Sequence, residues 1–372
     1  MQSKYAWKNL DIVNTLFLTL TPIIAIALTW YWLSVESFQW SQLIVAFVFY
    51  IFSGISITGG YHRLFAHRTY SAHPAVKLFF LIFGAGAFQN SVYKWATDHR
   101  THHAKVDTEE DPYSIQEGFF HAHMGWVFLK KNSILDARNA RDLEKDPLVM
   151  WQHKYYIWIA GFSGLILPCL VGGFFFDSYL GGLALGGFVK TVLIHHCTFF
   201  INSLCHYVGT TPYTDTNSAK DSWYMALFTF GEGYHNFHHY FQTDYRNGIR
   251  WYQFDPTKWL IKTLSWLNLA SKLKVTPIEK ILQARINMRI HGLKKKKISQ
   301  DFISELENLQ QKVLANLAAF NEMKKAFKIE RKRKNEVLLR QIKVNMELAH
   351  LEFQYAHRQL QLKLQLLSHS PA

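Results

Sequence analysis

The sequence predicts an all-α membrane protein with four transmembrane helices, a cytosolic helical cap that holds a histidine-rich site for two metals, and a C-terminal amphipathic helical hairpin or coiled coil. Three observations carry this prediction. Long apolar runs are concentrated in the first 205 residues, histidines occur in three short clusters, and the last quarter of the chain is polar and charged. We predict a membrane domain at residues 1–278 and a basic helical extension at 279–372.

The first two apolar runs, at residues 11–33 and 38–58, form a predicted transmembrane hairpin. Each has about 20 mostly apolar positions, enough for a helix to cross a hydrocarbon core of about 30 Å. Pro22 lies in the first run, where a membrane helix tolerates it. A signal peptide would be shorter and would be followed by a small-residue cleavage site, so we interpret both runs as spans.

The apolar segment at 75–89 is too short to span and carries Lys77, so we predict that it is re-entrant or interfacial. The polar stretch at 99–154 is then an aqueous loop with short helices. Runs at 155–176 and 179–205 supply a second pair of spans. Because the number of crossings is even, all three histidine clusters face one compartment, which the Lys and Arg content assigns to the cytoplasm.

The three histidine clusters, which we call boxes, have the spacing of metal ligands. In the central box the histidines stand at i, i+3 and i+4, so on a helix all three lie on one face and can point at a single site. Single-metal sites use three or four protein ligands plus water, so eight histidines predict two metals. The boxes contain His62 and His67; His99, His102 and His103; and His235, His238 and His239.

Two further polar residues close the fourth span. Asn202 and His206 stand at i and i+4, so they face the same way. Polar and ionisable residues at such depth are functional candidates. We predict that His206 is a ninth metal ligand and that Asn202 holds a water on a metal.

The formal charge of +14 has three candidate explanations. Nucleic acid is disfavoured because the basic residues are scattered and form no binding motif. Anionic lipid headgroups, together with the positive-inside bias of membrane proteins, explain the charge directly, and an anionic substrate head is compatible with them. The three cysteines lie inside apolar runs and indicate no disulfide.

The C-terminal extension has the periodicity of amphipathic helices. Apolar residues recur at three- and four-residue spacing over 306–327 and again over 338–367, with a break near 330–335. This pattern predicts a helical hairpin or short coiled coil that packs against itself or against a second subunit.

The ligand set indicates redox chemistry. Imidazole suits Zn, Cu, Fe and Ni, but a redox-inert tetrahedral zinc needs no such pair of sites. Two redox metals at the end of a membrane-embedded aromatic tunnel favour oxidation of a long apolar chain, and cleavage of unactivated C–H bonds favours iron.

The motifs HRLFAH at 62–67, HRTHH at 99–103 and GEGYHNFHH at 231–239 resemble the three histidine boxes of the membrane fatty acid desaturases, in the stearoyl-CoA (delta-9) branch. The segment NSLCH at 202–206 is similar to the extra metal-binding segment of that branch. The likeness covers about residues 7–258 and does not include the C-terminal extension. It implies two irons held by the nine histidines, and O2 and two electrons consumed per cis double bond, with hydrogen removed first at carbon 9 and then at carbon 10.

The resemblance also implies substrate contacts. Tyr50 stands where the family places the residue that closes the acyl tunnel and sets chain length, whereas Thr97 replaces an arginine near the CoA-binding surface. Lys130 and Lys131 could meet phosphates of the carrier. With no fused b-type cytochrome domain in this sequence, we expect an external donor protein like a ferredoxin or a b-type cytochrome. Residues expected to line the tunnel or its mouth are Gln89, Asn90, Trp95, Asp98 and Thr198.

Other functions remain open at this point. An acyl-lipid desaturase would use another acyl carrier, and a membrane hydroxylase with similar boxes would make an alcohol instead of an alkene. A metal transporter needs a polar path, but the residues that could form one are confined to the fourth span: Lys190, His195, His196 and Asn202. His195 and His196 diverge by about 100° on a helix and cannot share a metal. We predict no box partner for His73, His121, His123 and His153.

Overall fold

The computed structural model describes residues 9–130, 139–295, 298–333 and 336–368. The chain forms two compact units. The first unit runs to Val275, apart from Thr211–Asp215, and the second contains Thr211–Asp215 and the chain from Thr276 onward.

Four helical segments of the first unit are long and apolar enough to cross a membrane, as predicted. Large apolar side chains on their outer faces are exposed, among them Val13 (77%), Trp30 (72%) and Trp158 (77%), as expected of side chains that contact lipid. The protein is therefore a multi-pass membrane protein. The spans are Ile12–Val35, Trp40–Ala66, Tyr156–Phe176 and Tyr179–Tyr207.

The second span is longer than predicted. Helix α2 (Trp40–Ile55) continues without a break into a π-helix, Ser56–Ala66, whereas the sequence predicted that the span ends at residue 58. The extension is possible because Gly60 lets the π-helix approach Phe80 closely: a Cβ on Gly60 would lie 2.5 Å from the Phe80 Cβ. His62 of the first box is therefore part of the spanning helix, and His67 directly follows its last residue.

The third and fourth spans also contain π-helical turns. Glycines allow the two to pack closely, since a Cβ on Gly172 would lie 2.7 Å from the Gly182 Cα. The spans are built from α8 (Tyr156–Gly161), a π-turn at Phe162–Ile166, α9 (Leu167–Phe176), α10 (Tyr179–Gly181), a π-turn at Gly182–Val189, α11 (Lys190–Asn202) and α12 (Leu204–Tyr207).

Short elements surround the histidines. Most of the apolar segment predicted at 75–89 lies in α3 (Pro74–Ala85), which is only 12 residues long and buries Phe80 and Leu81. Strands β1 (Ser71–Ala72) and β2 (Ala270–Ser271) pair in antiparallel fashion. The helices are α1 (Ile12–Val35), α3 (Pro74–Ala85), α4 (Val92–Lys105), α5 (Phe119–His123), α6 (Arg141–Glu144), α7 (Pro147–Lys154), α13 (Trp223–Phe228), α14 (His235–Tyr240) and α15 (Pro256–Trp266), with 3₁₀ turns at Ile115–Glu117 and Gly125–Phe128.

The described residues of the second unit form three helices, one more than the predicted pair. They are α16 (Ile278–Lys295), α17 (Gln300–Arg333) and α18 (Glu336–Ser368). Helix α17 ends at Arg333 and α18 begins at Glu336, and residues 334–335 of the predicted break lie outside the described residues. The additional helix α16 packs Ile286 and Ile290 into a core that also contains Leu306 and Leu360.

Candidate metal centre

The nine predicted histidines come together in two adjacent groups. Within each group the nitrogen atoms that could bind a metal all lie within 4.8 Å of one another. The five-histidine group contains His62, His67, His99, His103 and His238, and the four-histidine group contains His102, His206, His235 and His239.

The distances within each group fit ligands around one ion. Neighbouring Nε2 atoms lie between 2.9 Å (His67 to His99) and 3.4 Å (His102 to His239) apart. With metal to nitrogen bonds of about 2.0–2.1 Å, two ligands are about 3.0 Å apart at a right angle and about 3.4 Å apart at a tetrahedral angle. The donor set therefore suits two metal ions.

The protonation state also suits metal binding. Burial, followed by the charge of neighbouring imidazoles, lowers the pKa of six of the histidines below the ordinary range, so they are neutral at pH 7, which is the form that binds metal. The six are His67, His99, His103, His235, His238 and His239.

The central box does not point at a single site, and that prediction is wrong. His99 and His103 belong to the five-histidine group, whereas His102 belongs to the four-histidine group. The reason is helical geometry on α4. Residues advance by about 100°, so i and i+4 lie about 40° apart, while i+3 lies about 100° from i+4 and faces another direction.

The third box divides in the opposite sense. On α14, His235 and His239 join the four-histidine group and His238 joins the five-histidine group. Each of the two triads therefore contributes to both groups, and α4 and α14 together hold the two candidate sites side by side.

The first box converges because of the π-helix. His62 and His67 stand at i and i+5, a spacing that places side chains on different faces of an α-helix. In the π-helix the His67 N–H donates to the His62 carbonyl at 3.0 Å, so one wider turn separates the two residues. Both imidazoles thereby reach the five-histidine group.

Carboxylates hold the outer nitrogens of two histidines. The Glu232 carboxylate lies 2.9 Å from His62 Nδ1, and the Asp111 carboxylate lies 2.8 Å from His102 Nδ1. A carboxylate that accepts from Nδ1–H leaves Nε2 free for a metal and orients the ring.

Hydroxyl groups lie beside the Nδ1 atoms of two other histidines. The Tyr113 hydroxyl lies 3.2 Å from His99 Nδ1, and the Ser218 hydroxyl lies 2.7 Å from His206 Nδ1. The Ser218 hydroxyl donates to Asp107 Oδ1 at 2.5 Å, and the Ser218 N–H donates to Asp107 Oδ2 at 2.7 Å. The Asp107 carboxylate thus orients the Ser218 hydroxyl, and that hydroxyl in turn can accept a hydrogen bond from His206 Nδ1–H.

A buried ion-pair network fixes Glu232. Arg63, only 1% exposed, donates to Glu232 Oε1 at 2.9 Å and to Asp255 Oδ2 at 3.1 Å. Asn247 donates to Glu232 Oε2 at 2.5 Å. Burial opposes ionisation of Glu232, but the charges of His62 and Arg63 more than offset it, so the pKa of Glu232 lies below its usual range.

A cavity of about 300 Å³ adjoins both groups. His62 and His99 of the five-histidine group and His235 of the four-histidine group contribute to its wall, and so does Asn202. Most of the remaining wall is apolar. The five residues predicted to line an acyl tunnel or its mouth all contribute to the wall of this cavity, and their contact with a substrate stays a prediction: Gln89, Asn90, Trp95, Asp98 and Thr198.

Two other predicted substrate residues, Tyr50 and Lys130, are not part of the cavity wall. Tyr50 does not line the cavity; its hydroxyl donates to the Phe228 carbonyl at 3.1 Å and lies 3.3 Å from Cys197 Sγ. Lys130 is exposed and also lies away from the cavity, and Lys131 is outside the described residues. Their roles in binding an acyl carrier or closing a tunnel stay predictions.

Sequence reasoning missed several residues of the site. Glu232 lies inside the third-box motif, so its position was a usable signal. Asp111, Asp107 and Ser218 lie in loops with no distinguishing pattern. His195 lines the cavity and contacts the Ala87 carbonyl at 2.8 Å; of the described residues, neither it nor His196 joins a metal-binding group.

Comparison with known proteins agrees with this geometry. A sequence profile described as fatty acid desaturase matches residues 38–265. Acyl-CoA desaturase 1 of Saccharomyces cerevisiae is 45% identical over 250 residues, which cover 67% of this chain and 49% of that protein. A probable acyl-CoA desaturase of Schizosaccharomyces pombe is 40% identical over 284 residues, covering 76% and 58%.

A mammalian relative is matched over most of its length. The stearoyl-CoA desaturase of Sus scrofa is 33% identical over 294 residues, covering 77% of this chain and 78% of that protein. By contrast, the chain spans about half the length of the two fungal relatives. From the matching profile, these relatives and the paired histidine groups, we conclude that the chain belongs to the fatty acid desaturase family, in the branch that contains the stearoyl-CoA desaturases.

Proposed function

We propose that this protein is an O2-dependent fatty acyl desaturase that introduces a cis double bond, at delta-9, into a long saturated acyl chain carried as a CoA thioester. It would serve the biosynthesis of unsaturated fatty acids. One observation carries the proposal: histidines of both candidate metal sites form part of the wall of an apolar cavity. An acyl chain in that cavity would lie beside both sites and away from water.

The reaction needs a redox metal, and we propose iron at both sites. The nine histidines would hold the two ions, and Asn202 would contact the four-histidine site through a water. Iron bound there would supply the oxidising power to remove two hydrogens from adjacent carbons. In balance, –CH2–CH2–, O2, two electrons and two protons give –CH=CH– and two waters.

The side chains of the cavity would position the substrate. Trp95 stacks on the His99 ring with centroids 4.8 Å apart, so its indole forms wall directly beside the five-histidine site. Gln89 donates to the Thr198 hydroxyl at 2.9 Å, so these two polar side chains hydrogen-bond to each other within a mostly apolar wall. We propose that Asn90 and Asp98 complete this wall near the reacting carbons, and that aromatic and aliphatic residues exclude water from them.

The remaining partners are part of the proposal. Acyl-CoA would be bound with help from Lys130 and Lys131, and electrons would come from a separate protein such as a ferredoxin or a b-type cytochrome. Thr97 is 2% exposed and donates to the Tyr93 carbonyl at 2.8 Å, so it cannot stand in for a surface arginine. The cap would face the cytoplasm, and the C-terminal helices would bring copies of the chain together.

Substitution of a ligand tests the proposal. In a cell that lacks its own desaturase, the unchanged protein should restore delta-9 unsaturated fatty acids, measured by mass spectrometry. His102→Ala should abolish them without loss of membrane insertion, whereas His291→Ala, in the second unit, should behave like the unchanged protein. Activity of the purified His102→Ala protein would refute the site.

Substrate and product decide between the related enzymes. Purified protein is supplied with saturated acyl-CoA or with glycerolipid carrying the same chain, together with O2 and reductant. We expect an alkene from acyl-CoA. An alkene from the glycerolipid alone would assign an acyl-lipid desaturase, and an alcohol would assign a hydroxylase.

A further inference from the structure

Helix α18 has two apolar faces. One packs inside the second unit, where Ala349, Ala356, Leu360 and Leu364 are each at most 8% exposed. A helix that is apolar on opposite sides is normally buried on both. The second face therefore calls for an explanation.

This second face, which we call the outer stripe, carries large apolar side chains that are 46% to 82% exposed. At about 100° per residue, it lies nearly opposite the packed face. Its members recur at spacings of seven, four, three, four and seven, which is the pattern of a coiled-coil seam. The outer stripe consists of Val337, Val344, Leu348, Leu351, Tyr355 and Leu362.

Two polar residues complete the same seam. Gln341 and Arg358 occupy the heptad positions that the apolar residues leave open, and both are exposed. From Val337 to Leu362 the seam extends about 38 Å, at about 1.5 Å per residue. That length is enough for a stable two-helix contact, whereas isolated helices shorter than about 12–15 residues are marginal.

We propose that the outer stripe binds the outer stripe of a second copy of this chain in an antiparallel, two-fold symmetric helix pair. The symmetry axis passes between Leu348 and Leu351. Because a two-fold contact must be self-complementary, each residue has to match the one that the axis places opposite it.

The antiparallel register meets this requirement at every layer. Leu348 lies opposite the partner's Leu351, and Val344 lies opposite the partner's Tyr355. Val337 lies opposite the partner's Leu362. The two symmetry-related polar layers set Gln341 against the partner's Arg358, so polar meets polar.

A parallel register would bring like charges together. It would place Arg358 against the partner's Arg358 in the seam, and Glu347 beside the partner's Glu352 at its edge. In the antiparallel register, Glu347 lies beside the partner's Gln354 instead. Like charges that face each other are destabilising, so the charges select the antiparallel pair.

A lipid surface fits the outer stripe less well. Helices that lie in a membrane interface carry mainly Lys and Arg beside the apolar face. The residues that border the outer stripe have both signs, with Arg340 and Glu347 on one edge and Glu352 on the other. Mixed charges suit a protein partner.

The first experiment measures the mass of the full-length protein in detergent micelles by light scattering after size exclusion. We expect a dimer for the unchanged protein and a monomer for Leu348→Lys/Leu351→Lys. Ile329→Lys is the matched control, because Ile329 is 51% exposed on α17 and outside the outer stripe. A monomeric unchanged protein, or a dimer that survives the double change, would overturn the proposal.

The second experiment determines the direction of the helices by disulfide formation. In the antiparallel pair the two copies of residue 344 are about 16 Å apart along the axis, at about 1.5 Å per residue. V344C alone should therefore not cross-link, whereas V344C mixed with Y355C should give a cross-linked heterodimer. Cross-linking of V344C to itself would show a parallel pair and refute the proposal.

The third experiment uses a variant that should strengthen the dimer, so its result does not depend on whether the lysine variant folds. Replacing the polar layers by Gln341→Leu/Arg358→Leu should tighten the dimer at least tenfold in a dilution series, because it adds apolar contact and removes a buried charge. An unchanged dissociation constant contradicts the proposed register. Binding of the unchanged protein's outer stripe to anionic vesicles, with no change in mass for any variant, would assign the face to lipid instead.

Discussion

Four imidazoles of the metal centre turn Nε2 toward the other histidines and have a polar group beside Nδ1. The neighbours differ, with carboxylates on His62 and His102 and hydroxyls on His99 and His206. Because partners of this kind fix the tautomer and raise the basicity of a ligand, changes to them should affect metal binding without altering the ligands themselves.

We expect the Ser218 relay to control the four-histidine site. Ser218→Ala removes the acceptor for His206 Nδ1–H, and the resulting loss of orientation should weaken metal affinity by about 10- to 100-fold at that site. Metal analysis of the purified protein should fall from about two ions to about one per chain. Ser218→Thr keeps the hydroxyl and should retain both, while two ions in the alanine variant would contradict this role.

Loss of the Glu232 carboxylate should lower the free energy of unfolding, because it leaves the buried Arg63 guanidinium incompletely paired. Glu232→Gln removes the carboxylate shared by His62 and Arg63, and breaking a buried ion pair costs about 3–5 kcal/mol. Thermal unfolding should show a clear loss of stability together with reduced metal content. Glu110→Gln breaks the exposed pair with Lys105 and should change stability by at most about 1 kcal/mol.

Among the elements, the π-helix at Ser56–Ala66 brings His62 and His67, which are five residues apart, into the same five-histidine group. It depends on close packing against α3. The α-helical elements instead divide their triads between the two sites. Local backbone geometry thus decides which ion each histidine can reach.

A methyl group at Gly60 should disturb this element. Gly60→Ala would place a Cβ 2.5 Å from the Phe80 Cβ, so α3 or the π-helix must shift, and His62 and His67 with it. We expect destabilisation of about 1–3 kcal/mol and loss of metal from the five-histidine site, measured by thermal unfolding and metal analysis.

Gly161→Ala provides the control for this change. No atom lies within 4 Å of a Cβ at Gly161, which is also helical. Alanine there should leave stability unchanged or raise it by up to about 1 kcal/mol. Equal effects of the two substitutions would argue against close packing as the basis of the π-helix.

At the scale of the whole molecule, the candidate catalytic residues all lie in the first unit, and the three C-terminal helices have their own core. The matched family profile ends at residue 265, before those helices begin. We therefore expect the first unit to carry out the proposed reaction and the second unit to mediate the proposed association.

Removal of the chain from residue 279 onward should therefore leave desaturation intact. We expect the truncated protein to bind the same number of metal ions per chain and to retain most of its activity, but to lose the dimer. Product analysis by mass spectrometry and light scattering measure the two effects. A well-folded, metal-loaded truncated protein without activity would show that the extension takes part in the reaction.

The sequence by itself determined the four spans, the nine histidines that form the two groups, and the helical tail. Each of these depends on the spacing of residues that are close together in the chain. Apolar length predicts a span, and repeated i, i+3, i+4 histidines predict a helix that carries ligands. The resemblance of the boxes to a known family added the cavity residues Gln89, Asn90, Trp95, Asp98 and Thr198, all of which line one cavity.

Only the tertiary structure decided how the histidines divide and what holds them. His62 and Glu232 are 170 positions apart, and Asp107 and Ser218 are 111 apart, so no local pattern connects them. The same is true of the second apolar face of α18, since periodicity reveals an apolar stripe but not whether another helix already covers it. Contacts between distant segments depend on how the chain packs, and packing is a property of the whole fold.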